Sequence, residues 1–197
     1  MTDRELRNRA ADQAYRDHAN DVYRLAYGIL RDPDEALDAT HDTFARAWER
    51  WEQYDSQRPV RAWLHGIVVH ISLDQLRRRR VRRLALPALG HEAMGRIGTG
   101  STADPATDVV RRRVVEDALA TLRPEARAAL VLRHYYGYDY AQIGAFLGTG
   151  SGTVGSTLSR AHAALRKSLG GPAEDGEPGP VPPRAPDGAT EPPEVLR

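Results

Sequence analysis

The sequence predicts an all-α protein: two small helical domains joined by a flexible linker, the second carrying a helix-turn-helix. Three observations predict it. Apolar residues recur at helical spacing through residues 11–84 and again through 109–169. Strict alternation of β-branched residues, the mark of half-buried strands, is scarce. Between the two periodic stretches, Pro87, Gly90, Gly95, Gly98, Gly100, Ser101 and Pro105 interrupt every period, so 85–108 reads as linker.

The first helix runs from about Ala11 to Leu30, with Tyr15, Val22, Leu25, Ala26, Ile29 and Leu30 on its buried side. The run Arg31-Asp32-Pro33-Asp34-Glu35 stops one helix and starts another: Asp32 is the N-cap, Pro33 sits at N1 and Glu35 completes a capping box. The second helix carries Leu37, Thr40, Phe44, Ala47, Trp48 and Trp51 on one face and Asp38, His41, Asp42 and Arg46 on the other. A loop, about 53–58, leads to the third helix, Pro59 to Arg83. Its first half has one apolar stripe, made of Val60, Trp63, Leu64, Ile67, Val68 and Ile71. The stripe gives way to Arg77, Arg78, Arg79, Arg80, Arg82 and Arg83. Guanidinium groups complement the dipole at a helix C-terminus and match the oxygens of phosphates. Asp74 shares a helix face with Arg77 and Arg78, so it can orient either.

The second domain, 109–169, opens with a helix holding Val110, Val114, Val115, Ala118, Leu119 and Leu122. Pro124 starts the next, with Ala126, Ala129, Leu130 and Val131 inside. Asp139 and Gln142 form another capping box, for a short helix burying Ile143, Phe146 and Leu147 and ending at Gly148. Gly150-Ser151 leads into a last helix with Val154, Leu158, Ala161 and Leu165 buried. Helix, Gly-containing turn, helix is the helix-turn-helix pattern, although a plain helical hairpin has the same outline. Residues 170–197 are rich in Pro, Gly and acids and lack the apolar content to fold, so they read as a disordered acidic tail.

The formal net charge is only +1, but it is segregated. Acids crowd the second helix, whereas Asp74 is the only acid between Arg58 and Arg83. Adjacent helices of opposite sign imply two partners, one basic and one anionic. With no cysteine, disulfides and thiolate metal sites are excluded. No apolar run is long enough to cross a bilayer, and no signal-like segment follows Met1, so a cytoplasmic protein is expected.

Three segments resemble, in order and at the right separations, the extracytoplasmic-function sigma factors of bacterial RNA polymerase. DATHDTFARAW, residues 38–48, is similar to the family's polymerase-binding helix. RAWLHGIVVHISLDQLRRRR, residues 61–80, is similar to the helix that reads the promoter minus-ten element. The segment from LRPEARAALVLRHYYGYDYAQIGAFLG through GTVGSTLSRAHAALR is similar to the minus-thirty-five-binding domain. The resemblance implies a dissociable initiation factor with no catalytic residue and no cofactor. Its implied partners are core RNA polymerase, promoter DNA and an anti-sigma factor. Polymerase contacts fall on Asp38, His41, Asp42 and Arg46, while Phe44 and Trp48, on the apolar face, are assigned to the core. Minus-ten contacts fall on Arg58, Arg61, His70, Arg77, Arg78 and Arg80, with the preceding loop placed to receive a base flipped from the stack. His70 stands where the family usually has Asn, and Arg58 and Arg61 either touch the strand or are solvated. Minus-thirty-five contacts fall on Ser151, Gly152, Thr153, Ser156, Thr157 and Arg160. Here relatives usually carry Lys for Gly155 and Arg for Thr157, which either weakens that recognition or redirects it.

Two other readings compete. A helix-turn-helix regulator acting without polymerase leaves the acidic helix and the arginine-rich helix without a purpose. A metal enzyme built on the histidines lacks any HExxH or phosphate-loop pattern, and His65 and His70, five apart, do not share a helix face.

Overall fold

The computed structural model describes residues 3–85, 114, 115 and 117–169, all helix, turn or loop. The linker assigned to 85–108 and the tail assigned to 170–197 lie outside the described residues, apart from Ala85, which ends a helix. The elements are α1 (Asp3–Leu30), α2 (Pro33–Glu49), a 3-10 turn (Trp51–Gln53), α3 (Val60–Ala85), a short helical stretch α4 (117–120), α5 (Pro124–His134), α6 (Tyr140–Leu147) and α7 (Ser151–Ser168).

α1, α2 and α3 form a three-helix bundle around Val22, Leu25, Ile29, Leu64, Val68 and Ile71, all buried. α1 begins at Asp3, two turns before the start expected at Ala11. Those turns pack on α2 through Trp48, whose indole N–H donates to Asn8 at 3.0 Å while the Arg7 guanidinium lies over its ring at 5.2 Å. Arg7 also pairs with Glu52 at 2.7 Å. The apolar face expected on α2 is shifted: Ala36, Ala39, Thr40, Thr43 and Ala47 are inside, while Leu37 and Trp48 are exposed. Small residues let α1 and α2 approach closely, which leaves the large side chains at the rim. Tyr15, expected inside, is exposed and meets Phe44 edge-on, and Ala14 takes the buried position. Asp32 caps α2, accepting from the backbone N–H of Asp34 and Glu35. Glu35 does not close the box; its carboxylate faces Arg79 of α3 at 3.3 Å, an interhelical pair that competes for the same side chain.

In the second unit the Asp139–Gln142 capping box is complete, and Gly148 ends α6 in the left-handed conformation at φ 64°. The chain then folds back so tightly that the Thr149 amide donates to the Gly144 carbonyl at 2.8 Å, and α7 buries Val154, Leu158 and Ala161. The two units pack on each other. α5 lies on α1 and α6 on α3, and one continuous apolar core runs through both.

Candidate nucleic-acid and partner interfaces

α2 presents Asp38, His41, Asp42 and Arg46 to solvent on one face, since positions three and four apart share a side of a helix. Leu37 and Trp48 are also exposed on this helix. The surface therefore combines carboxylates with exposed apolar area, a composition suited to a basic protein partner.

α3 is anionic nowhere except at Asp74, which pairs with Arg77 at 2.7 Å. Arg78 and Arg80 are exposed, while Arg79 turns toward Glu35. The arginine-rich end is thus sorted: Arg77 and Arg79 are oriented by carboxylates, and Arg78, Arg80 and Arg82 face solvent. The His70 Nδ1–H donates to the Gly66 carbonyl at 2.7 Å, which fixes the ring against its own helix. The loop before α3 is braced by aromatic rings. Tyr54 stacks on Trp63 at 4.9 Å, Trp51 meets Trp63 edge-on at 5.8 Å, and the Tyr54 hydroxyl donates to the Arg58 carbonyl. Arg58 itself faces Asp55 at 3.3 Å.

On α7, Ser151, Gly152, Thr153, Ser156 and Arg160 are exposed and Thr157 is half-buried. Two of these side chains are folded onto their own helix: Ser156 Oγ donates to Thr153 and the Arg160 Nε–H to Ser156. Behind this face His134 of α5 and His162 of α7 meet Nε2 to Nε2 at 2.8 Å. Burial holds both below the ordinary imidazole value, so they share one hydrogen bond as neutral rings.

The expected contact residues occupy three places rather than one. Asp38, His41, Asp42 and Arg46 share α2; His70, Arg77, Arg78 and Arg80 share α3; the last set shares the start of α7. Arg61 departs from its group. Its Nε–H donates to Asp21 of α1 at 2.7 Å, and its guanidinium lies over the Tyr136 ring at 5.3 Å.

Around that residue is a cluster that sequence reasoning did not assemble. His65 is fully buried. Its Nε2–H donates to the Asp21 carboxylate at 3.0 Å, and its Nδ1 accepts from the Tyr138 hydroxyl at 2.9 Å. The Tyr136 hydroxyl donates to the Asp21 carbonyl at 2.9 Å, and its ring meets His65 edge-on. Burial works against the charge on Asp21, but hydrogen bonds from His65 and Arg61 outweigh it and hold the carboxyl well below its ordinary range. Burial holds His65 below the usual imidazole value against the pull of Asp21, so the ring is neutral. Burial likewise raises both phenols, which stay protonated donors. The only signal in the sequence was the aromatic run Tyr135-Tyr136-Gly137-Tyr138, which does not name its partners.

Among the described residues no helix is long and apolar enough to cross a membrane. Residues 14–82 match the Sigma-70 region 2 family and residues 112–165 the Sigma-70 region 4 family. The chain is 37% identical over 168 residues to the ECF RNA polymerase sigma factor SigE of Mycolicibacterium smegmatis, a match covering 80% of this chain and 61% of that protein. It is 35% identical over 156 residues to the ECF RNA polymerase sigma factor SigL of Mycobacterium tuberculosis, covering 79% and 86%. Its fold is similar to that of the sigma factor RpoE of Bartonella quintana, solved with the anti-sigma factor NepR, at a TM-score of 0.67, 23% identity, 81% of this chain and 96% of that one. CnrH, solved with the cytosolic domain of CnrY, is similar at a TM-score of 0.57 and 26% identity, covering 85% and 97%. With both family regions in order on one chain, and a relative of the same kind matched over 86% of its length, the protein belongs to the extracytoplasmic-function sigma factors of bacterial RNA polymerase.

Proposed function

We propose that this sigma factor divides its work among the three surfaces described above and catalyses no reaction itself. The acidic face of α2, with Asp38, His41, Asp42 and Arg46, holds core RNA polymerase. The end of α3, with His70, Arg77, Arg78 and Arg80, holds the opened minus-ten strand, and the braced loop at Trp51, Tyr54 and Trp63 receives an unstacked base. The start of α7, with Ser151, Gly152, Thr153, Ser156, Thr157 and Arg160, enters the major groove at the minus-thirty-five element. The protein works in the cytoplasm. An anti-sigma factor restrains it, as NepR and CnrY are bound to the two structural relatives.

The observation that carries this reading is the opposition of charge on one rigid bundle. The outward side of α2 is acidic, while the C-terminal half of α3 exposes Arg78 and Arg80. A protein that only bound duplex DNA has no use for the first surface. The test is run-off transcription with purified core polymerase on genomic fragments. Template-specific starts that depend on this protein are expected, and they should weaken when Asp38 and Asp42 are both changed to Arg. No protein-dependent start on any fragment would refute the reading.

A further inference from the structure

Three arginines that keep solvent contact still have carboxylate partners: Arg61 pairs with Asp21 and Arg77 with Asp74 at 2.7 Å, and Arg79 with Glu35 at 3.3 Å. Arg127 of α5 has none among the described residues, although it is only 7% exposed. Its Nε is sealed from solvent with no hydrogen-bond partner, and the charged group that acts on it is another arginine, Arg31. Burial and Arg31 both loosen its hold on the proton, yet a guanidinium stays charged near neutral pH. A buried cation without a counter-charge is costly, so this position calls for an anion.

The surroundings specify which anion. α1 and α5 run antiparallel: Arg24 reaches the Tyr135 hydroxyl at 3.2 Å, Gly28 faces Val131, and Arg31 comes beside Arg127. Arg127 lies in the first turn of α5, and helical side chains lean toward the helix N-terminus, so its guanidinium is directed at the start of that helix. No side chain caps this start, and its N-cap residue is the exposed Arg123. The open N–H groups of a first turn carry partial positive charge, which adds to that of the arginines. The acids nearby in the chain are engaged elsewhere or face elsewhere. Asp32 caps α2, Glu35 pairs with Arg79, and Glu125 is exposed two positions from Arg127, on another side of the helix. We infer that the start of α5 is a binding site for a phosphate group, with Arg127 as its buried anchor and Arg31 and Arg123 at its rim. A phosphate carries nearly two charges and offers oxygens to more than one guanidinium, whereas a carboxylate offers a single charge and one pair of oxygens. Arg127 is on the face of α5 that packs against α1, which bars the backbone of a duplex. The ligand is a free phosphate ion or a small phosphorylated molecule.

The test is thermal unfolding of the full chain while sodium phosphate replaces sodium chloride at constant ionic strength. The wild-type midpoint should rise by about 3–6 °C once free phosphate exceeds its dissociation constant tenfold. Arg127→Met fills the space with an adaptable apolar side chain and removes the unpaired charge. It should melt above the wild type in chloride and show no phosphate-dependent rise. Equal rises in the two proteins, or none in the wild type, overturn the site. So does a variant that melts below the wild type in chloride, since the guanidinium is then satisfied without an anion. The phosphorus-31 resonance of inorganic phosphate gives a readout that does not depend on stability: the wild type should broaden it and Arg127→Met should not. A parallel titration with adenosine 5′-monophosphate separates the two sources. Binding no tighter than that of inorganic phosphate assigns the site to the free ion, tighter binding assigns it to a small phosphorylated molecule, and binding of neither overturns the proposal.

Discussion

His65 has a partner on each ring nitrogen and no contact with solvent. A histidine in that position makes the fold sensitive to acid. Burial keeps the ring neutral in the folded protein, while the unfolded chain takes up a proton near the ordinary value of 6.5. The unfolded state thus binds more protons as the pH falls below about 6.5, and stability falls with it. The charged and titratable groups that face the ring are Asp21 and His18 from α1, Arg61 from α3, and Tyr136 and Tyr138 from the α5–α6 turn. The neutral pair His134 and His162 acts in the same direction. Asp21 adds a further loss below its ordinary 3.8, because its folded-state carboxyl is held lower. The urea midpoint should therefore decline steadily between pH 7.5 and pH 5. His65→Gln should cost on the order of 1–3 kcal/mol at pH 7.5, since Asp21 and Tyr138 each lose a buried partner, and should flatten that decline. An equal slope in the variant would place the titration elsewhere. The exposed candidates of α2 were legible from spacing alone, because positions three and four apart must share a side. The partners of His65 were not: Asp21 is 44 residues away and Tyr138 is 73, and periodicity says nothing about contacts at that range.

Two glycines of the helix-turn-helix show how one substitution changes sign with its surroundings. At Gly144, in α6, an added Cβ would come within 2.6 Å of the Thr149 carbonyl oxygen, a backbone atom that cannot move without opening the turn. At Gly155, in α7, it would meet the edge of the Tyr140 ring at 3.5 Å, an ordinary contact. Gly144→Ala should cost about 1–3 kcal/mol through overpacking. Gly155→Ala should gain about 1 kcal/mol through helix propensity. Thermal unfolding followed by circular dichroism checks both, and shifts of the same sign would contradict the account. The sequence made the helix boundaries at Asp32, Asp139 and Gly148 readable, because each boundary has a side chain or a backbone conformation that only a few residues supply. It misled on the buried face of α2. Counting large apolar residues favours Leu37 and Trp48, whereas the close approach of α1 selects Ala36, Ala39 and Ala47. It also placed the start of α1 too late, since the first two turns are held by Trp48 and Glu52 rather than by their own pattern.

At the scale of the whole molecule, the sequence predicts two helical units, and one buried core runs through the described residues of both. Leu25 and Ile29 of α1 belong to the same buried cluster as Leu132, Ile143 and Phe146. Each unit alone is small, and small domains bury too little apolar surface to be more than marginally stable. Docking α5 on α1 and α6 on α3 adds burial to both, so the two should unfold together. The tryptophans make this measurable. Trp48, Trp51 and Trp63 all lie in the first unit, so tryptophan fluorescence reports its unfolding alone, whereas far-ultraviolet circular dichroism reports every helix. In the wild-type chain the two signals should change at one temperature. Val131→Asp puts a carboxylate against Gly28 at the junction, where burying an unpaired charge is costly. It should release the units from each other, so that the fluorescence and circular dichroism transitions separate by several degrees. Coincident transitions in that variant, or separate ones in the wild type, would mean that each unit draws its stability from its own core alone.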